Sequence, residues 1–184
     1  MIGRPVDLVA HDWGALLGIR ALSLRPELFR SWALGAAPLD REYRWHDAAV
    51  RWQTPQVGER VMEALTADRM SALLVAARVP AAEAAEAAAH VDETMKRCIL
   101  ALYRSAIRVA EDWDAELGNV PAGGLVLWGE SDPYAAPEFG ARFADRVGAG
   151  LLVLHDCGHW WQLERPAEIA AELAALWSRA PGPS

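Results

Sequence analysis

Val6–Gly14 constrains this chain more than any other stretch. Val6, Leu8, Val9 and Ala10 read as a buried strand. Leu16, Leu17, Ile19, Arg20 and Leu22 read as the opening of a helix. Between them stands Ala10-His11-Asp12-Trp13-Gly14, an acid flanked at two residues' distance by small side chains. A sharp strand-to-helix turn that displays one side chain needs such spacing, because Ala10 and Gly14 let the helix close on the strand. The displayed residue is Asp12. An Asp at this junction is also the ordinary N-cap of a helix, and the stretch alone leaves both readings open.

Downstream, the helix runs to about Arg25 and Pro26 marks its boundary. Ser31–Ala36 reads as a second strand, stopped by Pro38, so the first forty residues make a strand–helix–strand unit. From Leu39 to Asn119 the character changes to Ala, Glu and Arg without a clear strand. Ala81–His90 is a strong helix former. Met95, Ile99, Leu102, Tyr103, Ala106, Ile107 and Ala110 fall on one helical face, and the whole segment reads as a helical insertion of several helices. Strand character returns at Gly124–Trp128 and Leu151–Leu154, with helices predicted over Pro137–Val147 and Pro166–Trp177. Pro181-Gly-Pro-Ser reads as a loose tail.

Three polar residues therefore follow three apolar runs: Asp12, Asp132 in Gly-Glu-Ser-Asp-Pro, and His159 in Gly-His-Trp. In an open parallel sheet these positions share the carboxyl edge, where functional sites gather. Asp132 followed by Pro133 is also an ordinary turn opening, and His159 also reads as a capped loop histidine. The order nucleophile, acid, histidine, each behind the right element, resembles the α/β-hydrolase superfamily. His-Asp-Trp-Gly at the elbow resembles its Asp-nucleophile branch, the epoxide hydrolases and haloalkane dehalogenases.

The resemblance implies an α/β fold: a partial α/β-hydrolase core of about four parallel strands, residues 1–38 and 120–184, with a helical cap at 39–119 above the catalytic edge. It implies a hydrolase in which Asp12 attacks carbon, His159 activates the water that cleaves the resulting ester, and Asp132 orients the histidine. A carboxylate with a reference pKa of about 3.9 needs no base to attack. The Trp13 N–H becomes an oxyanion donor, and its indole a leaving-group contact. His11, Tyr43, Tyr103 and Trp160 are candidate substrate contacts; His11 also reads as structural, and Tyr103 as a core residue of its helix. Epoxide and alkyl halide both remain open. No cofactor and no metal are implied.

Family members carry about four strands before the elbow and a His-Gly-x-Pro loop, and neither is found in this sequence. The chain thus resembles the C-terminal half of such an enzyme, from a misplaced start codon, a split gene or a truncated remnant. An elbow strand without its neighbour is an open edge, so self-association or pairing with a missing half is expected. A non-catalytic remnant is the alternative to an enzyme.

Composition narrows the partners. A net charge of −7 argues against nucleic acid. No apolar stretch is long enough for a membrane span, and no basic start precedes an apolar run as in a signal peptide. Cys98 and Cys157 make no metal spacing or disulfide framework. A cytoplasmic protein acting on a small molecule is the expectation.

Overall fold

The computed structural model describes residues 4–37 and 40–180. The Pro38 stop and the 181–184 tail lie outside the described residues. The chain divides into two compact units, Met1–Tyr43 with Ala110–Ser184, and Arg44–Val109. Residues 110–119, read from the sequence as part of the insertion, group with the first unit.

The first unit holds a sheet of four parallel strands in the order β1 (Val6–His11), β2 (Phe29–Gly35), β3 (Leu125–Gly129) and β4 (Gly150–Leu154). Alternation sorts its side chains. Ala33, Leu125 and Leu127 face Trp161, Ile169 and Leu176, which belong to α9 (Trp161–Glu164) and α10 (Pro166–Arg179). Trp32 and Trp128 meet α8 (Pro137–Val147), through Phe143 and Gly140. Pro137 opens α8 and Gly148, at φ 66°, closes it, which gives the helix the bounds expected from the sequence.

Glycine fixes how closely α1 (Trp13–Leu24) lies on the sheet. A Cβ at Gly18 would stand 3.1 Å from Leu34 and 3.2 Å from Leu8. At Gly14 it would meet only Ala10, at an ordinary 3.9 Å. The close approach credited to Gly14 on sequence grounds thus occurs one turn later.

The second unit holds α2 (Asp47–Gln53), α3 (Val57–Glu63), α4 (Ala67–Ala76), α5 (Ala81–Ala88) and α6 (Glu93–Ser105). Met62, Leu65 and Leu100 form its core, packed against Trp52, Met70, Val91 and Ile99. Thr66 and Asp92 cap α4 and α6 with their side chains. The helical face read from Met95 to Ala110 is divided between two helices: α6 ends at Ser105, and α7 (Val109–Trp113) follows after a turn. Ile107 sits in that turn and is exposed, so the apolar period from Met95 does not carry through it. Among the described residues no helix is long and apolar enough to cross a membrane.

Candidate active site

Because the strands are parallel and paired in register, their carboxyl ends lie together: His11 opposite Gly35, Gly35 opposite Leu127, Gly129 opposite Leu154. Asp12 follows β1 directly. Its backbone sits at φ 53°, ψ −126°, a conformation uncommon for any residue with a Cβ. Two sets of hydrogen bonds hold it there. Its N–H donates to Gly35 O at 3.0 Å, and its carbonyl accepts from Ala15 and Leu16 at 2.9 and 3.1 Å. Asp12 occupies the N-cap position of α1, but its side chain makes no cap hydrogen bond. The capping reading therefore fails, and the carboxyl is displayed instead.

Asp132 and His159 come from the loops after β3 and β4. Their backbones are tied directly, with Ser131 N–H donating to Cys157 O at 2.9 Å. Gly129 allows this, since a Cβ there would lie 2.0 Å from Gly158 O. Across the join, His159 Nδ1 lies 2.9 Å from Asp132 Oδ2. A carboxylate only accepts, so Nδ1 carries the hydrogen and a neutral ring keeps its lone pair on Nε2. Asp132 Oδ1 accepts the N–H groups of Tyr134 and Ala135 at 2.8 and 3.3 Å. The carboxylate is thus held from both oxygens, with its side chain fully buried.

His159 Nε2 stands 3.9 Å from Asp12 Oδ1, beyond hydrogen-bond range. Burial pushes the Asp12 carboxyl above its ordinary value of 3.8, and the neighbouring Asp132 charge adds to this. His159 and a hydrogen bond from the Trp13 N–H oppose the rise. Trp13 thus already donates to an oxygen of the Asp12 carboxyl.

The other candidates separate. His11 packs against His159, Trp160 and Trp161. Its Nε2–H donates to His159 O at 2.8 Å, and its ring packs 4.5 Å from that of His159. Burial, and then the His159 charge, lower its pKa to about 4, so it is neutral at physiological pH. Trp160 packs perpendicular to His159 at 5.2 Å, and its buried indole N–H has no hydrogen-bond partner. The Tyr43 hydroxyl donates to Tyr134 O at 3.2 Å. Tyr103 belongs to the helical unit, where its ring meets Trp52 at 4.7 Å and Trp45 at 5.5 Å. Among the described residues no three His, Cys, Asp or Glu side chains are grouped to hold a metal ion.

One residue at the site escaped the sequence reading. The Tyr134 ring meets His159 nearly perpendicular at 4.8 Å. Its only sequence signal was its place two residues after Asp132, which says nothing about where its ring goes.

The family model described as "Alpha/beta hydrolase family" matches residues 1–172. The chain belongs to the α/β-hydrolase family. Among the curated members it resembles is a 2-hydroxy-6-oxononadienedioate/2-hydroxy-6-oxononatrienedioate hydrolase of Klebsiella pneumoniae. The two are 37% identical over 54 residues, 29% of this chain and 19% of that protein. Among solved α/β hydrolases, the 2-hydroxy-6-oxo-6-phenylhexa-2,4-dienoate hydrolase of Rhodococcus sp. strain RHA1 superposes with a TM-score of 0.76. Identity there is 20%, covering 95% of this chain and 64% of that one. A Bacillus megaterium epoxide hydrolase superposes with a TM-score of 0.72 at 18% identity, covering 96% of this chain and 70% of the other. At these identities the likeness shows the fold. This α/β hydrolase spans less than two thirds of the Rhodococcus structure, and its matched segment is about a fifth of the Klebsiella relative.

Proposed function

We propose that the chain carries the catalytic machinery of a hydrolase with Asp12 as nucleophile, acting on an epoxide or an alkyl halide. The observation that carries this reading is a displayed carboxyl on a strained elbow, 3.9 Å from the Nε2 of a histidine whose other nitrogen is bound to a buried aspartate. A hydroxyl nucleophile needs its base within hydrogen-bond reach; a carboxylate does not. Asp12 attacks the electrophilic carbon, and the departing oxygen or halide takes the bonding electrons. The product is an alkyl ester of Asp12. His159 Nε2 then takes a proton from water as hydroxide adds to the ester carbonyl. Asp132 steadies the imidazolium. The Asp12 oxygen that receives the Trp13 N–H becomes the oxyanion, so that donor is in place before the charge develops. The epoxide hydrolase among the structural neighbours supports this chemistry for the fold.

The experiment separates the two half-reactions. His159→Gln is expected to leave alkylation intact and to block hydrolysis. Intact-mass analysis after mixing with an epoxide or a bromoalkane then shows a stable adduct, mapped by peptide analysis to Asp12. An adduct elsewhere, or turnover unchanged by the substitution, rejects Asp12 as nucleophile.

A second reading is favoured by the position of β1 on the outside of the sheet. On that reading the chain is inactive by itself and works only when further strands cover the open edge.

A further inference from the structure

Hydrolysis of an Asp12 ester asks one thing of His159: its Nε2 must bind a water that faces the ester carbonyl. The bond from Nδ1 to Asp132 fixes one end of the ring. The main chain of residue 159 then sets how far the other end stands from Asp12, 3.9 Å here. The loop carrying His159 is held just before it. Ser131 N–H donates to Cys157 O at 2.9 Å, and Gly158 N–H donates to Glu164 Oε1 at 2.9 Å. Those bonds join the loop to the acid loop and to α9. His11 joins it to the elbow. A carbonyl only accepts, so His11 Nε2 carries the hydrogen in its 2.8 Å bond to His159 O. His11 is itself well supported. It ends β1 opposite Gly35, and its ring packs 5.1 Å from Trp160 and 5.3 Å from Trp161. The next residue, Asp12, is bound through its N–H to Gly35 O at 3.0 Å.

Resting on the reading of Asp12 as the attacking carboxylate, we infer that His11 is a positioning residue for ester hydrolysis. It holds the His159 main chain at the distance from Asp12 that lets Nε2 place the water. The proton of that water goes to His159 Nε2, and none passes through His11. The first half-reaction does not involve it, because a carboxylate attacks without a base. An imidazole suits this place for an electrostatic reason. Burial, and then the charge of His159, lower the pKa of His11 to about 4, against smaller opposing effects of its bond to the His159 carbonyl and of Asp132. It therefore stays neutral while the His159 ring, 4.5 Å away, takes up a proton. A lysine or arginine donor would set a cation beside that developing charge and oppose it.

The test follows the two half-reactions separately in His11→Gln, His11→Asn and His11→Leu. Glutamine sets an amide N–H at the reach of Nε2, asparagine carries the same amide one carbon short, and leucine has no donor. Each protein is mixed with 1,2-epoxybutane and with 1-bromobutane under single-turnover conditions, and intact mass follows the formation and loss of the Asp12 ester. In His11→Asn and His11→Leu, ester formation is expected within about threefold of the parent and hydrolysis about 10²-fold slower, as for an ångström of misplacement. In His11→Gln both steps should stay within about threefold of the parent, because the donor is restored. The rate of ester formation also reports that a variant is folded, and asparagine serves where leucine is not. Equal losses in both steps would mean that His11 only supports the elbow. Unchanged hydrolysis in His11→Asn would mean that the bond is idle, and a loss that glutamine does not restore would assign the effect to ring shape. Each of these overturns the inference and leaves Asp12 as nucleophile. His159→Gln is the control: no ester there from either substrate rejects the Asp12 reading, and the role of His11 with it.

Discussion

Asp12 is held where a residue with a Cβ is uncomfortable, and its carboxyl is partly stripped of water. Both features cost stability, and they can be separated. A non-glycine residue in a sparsely populated backbone region costs roughly 1–3 kcal/mol, against roughly 0.5–1 kcal/mol for the extra chain entropy of glycine. Asp12→Gly is therefore expected to raise the unfolding free energy by about 1 kcal/mol or more in urea titration at pH 7. Asp12→Asn keeps the backbone strain and removes the charge. Because burial raises this carboxyl above 3.8 in the folded state, the native protein holds a proton there that the unfolded chain has released. The cost is full above the folded value and absent below about 3.8. The Asn variant should thus be more stable than the parent at neutral pH, with the gain vanishing as the pH falls through the ordinary carboxylate range. A gain that persists at pH 3 would assign it to something other than the charge.

The loops after β3 and β4 matter to each other more than to their own strands. Gly129 faces the Gly158 carbonyl, backbone against backbone, so neither side can turn aside. Gly129→Ala should push the histidine loop from the acid loop by an ångström or more. A misplacement of that size costs on the order of 10²-fold in rate. Gly118→Ala, where a Cβ meets nothing within 4 Å, should leave the rate unchanged. Steady-state turnover of both variants decides it; equal rates would show that the loop contact is dispensable. The sequence pattern identified the elements themselves well. Apolar runs and proline punctuation located all four strands and both bounds of α8, because those signals are local. The break after Ser105 was missed because Ile107 keeps the apolar spacing in the sequence, and only the structure shows it exposed. Gly129, Gly18 and Tyr134 were missed for a different reason. Their importance lies in what stands opposite them in space, and no local pattern records that. The order of Asp12, Asp132 and His159 pointed to one sheet edge, and the structure puts the three together there. The sequence could not show the 3.9 Å gap at Asp12, or that His11 binds the His159 carbonyl.

Taken whole, the sheet has two outer strands, and both carry exposed apolar side chains. Val9 on β1 is 42% exposed; Leu151 and Val153 on β4 are 41% and 39% exposed. Natural sheets usually guard such edges with charge, proline or a covering element. The purified chain is expected to self-associate through β1, and Val9→Lys to weaken that association. Size-exclusion chromatography with light scattering reads both, and a monodisperse parent at micromolar concentration would remove the edge from consideration. The strand order has a kinetic side as well. β1 and β2 are close along the chain, and so are β3 and β4, but β2 must find β3 across everything from Ala36 to Gly124. Doubling such a loop adds only about 0.6 kcal/mol of closure entropy, so the helical unit is an inexpensive guest at equilibrium. Folding rate is more sensitive to pairing between distant segments. The hydrogen-bonded pair Asp132–His159 lies within the second strand pair, whereas Asp12 lies in the first. Such a chain can bring Asp132 and His159 together locally and early, and Asp12 joins them only when the two halves of the sheet meet.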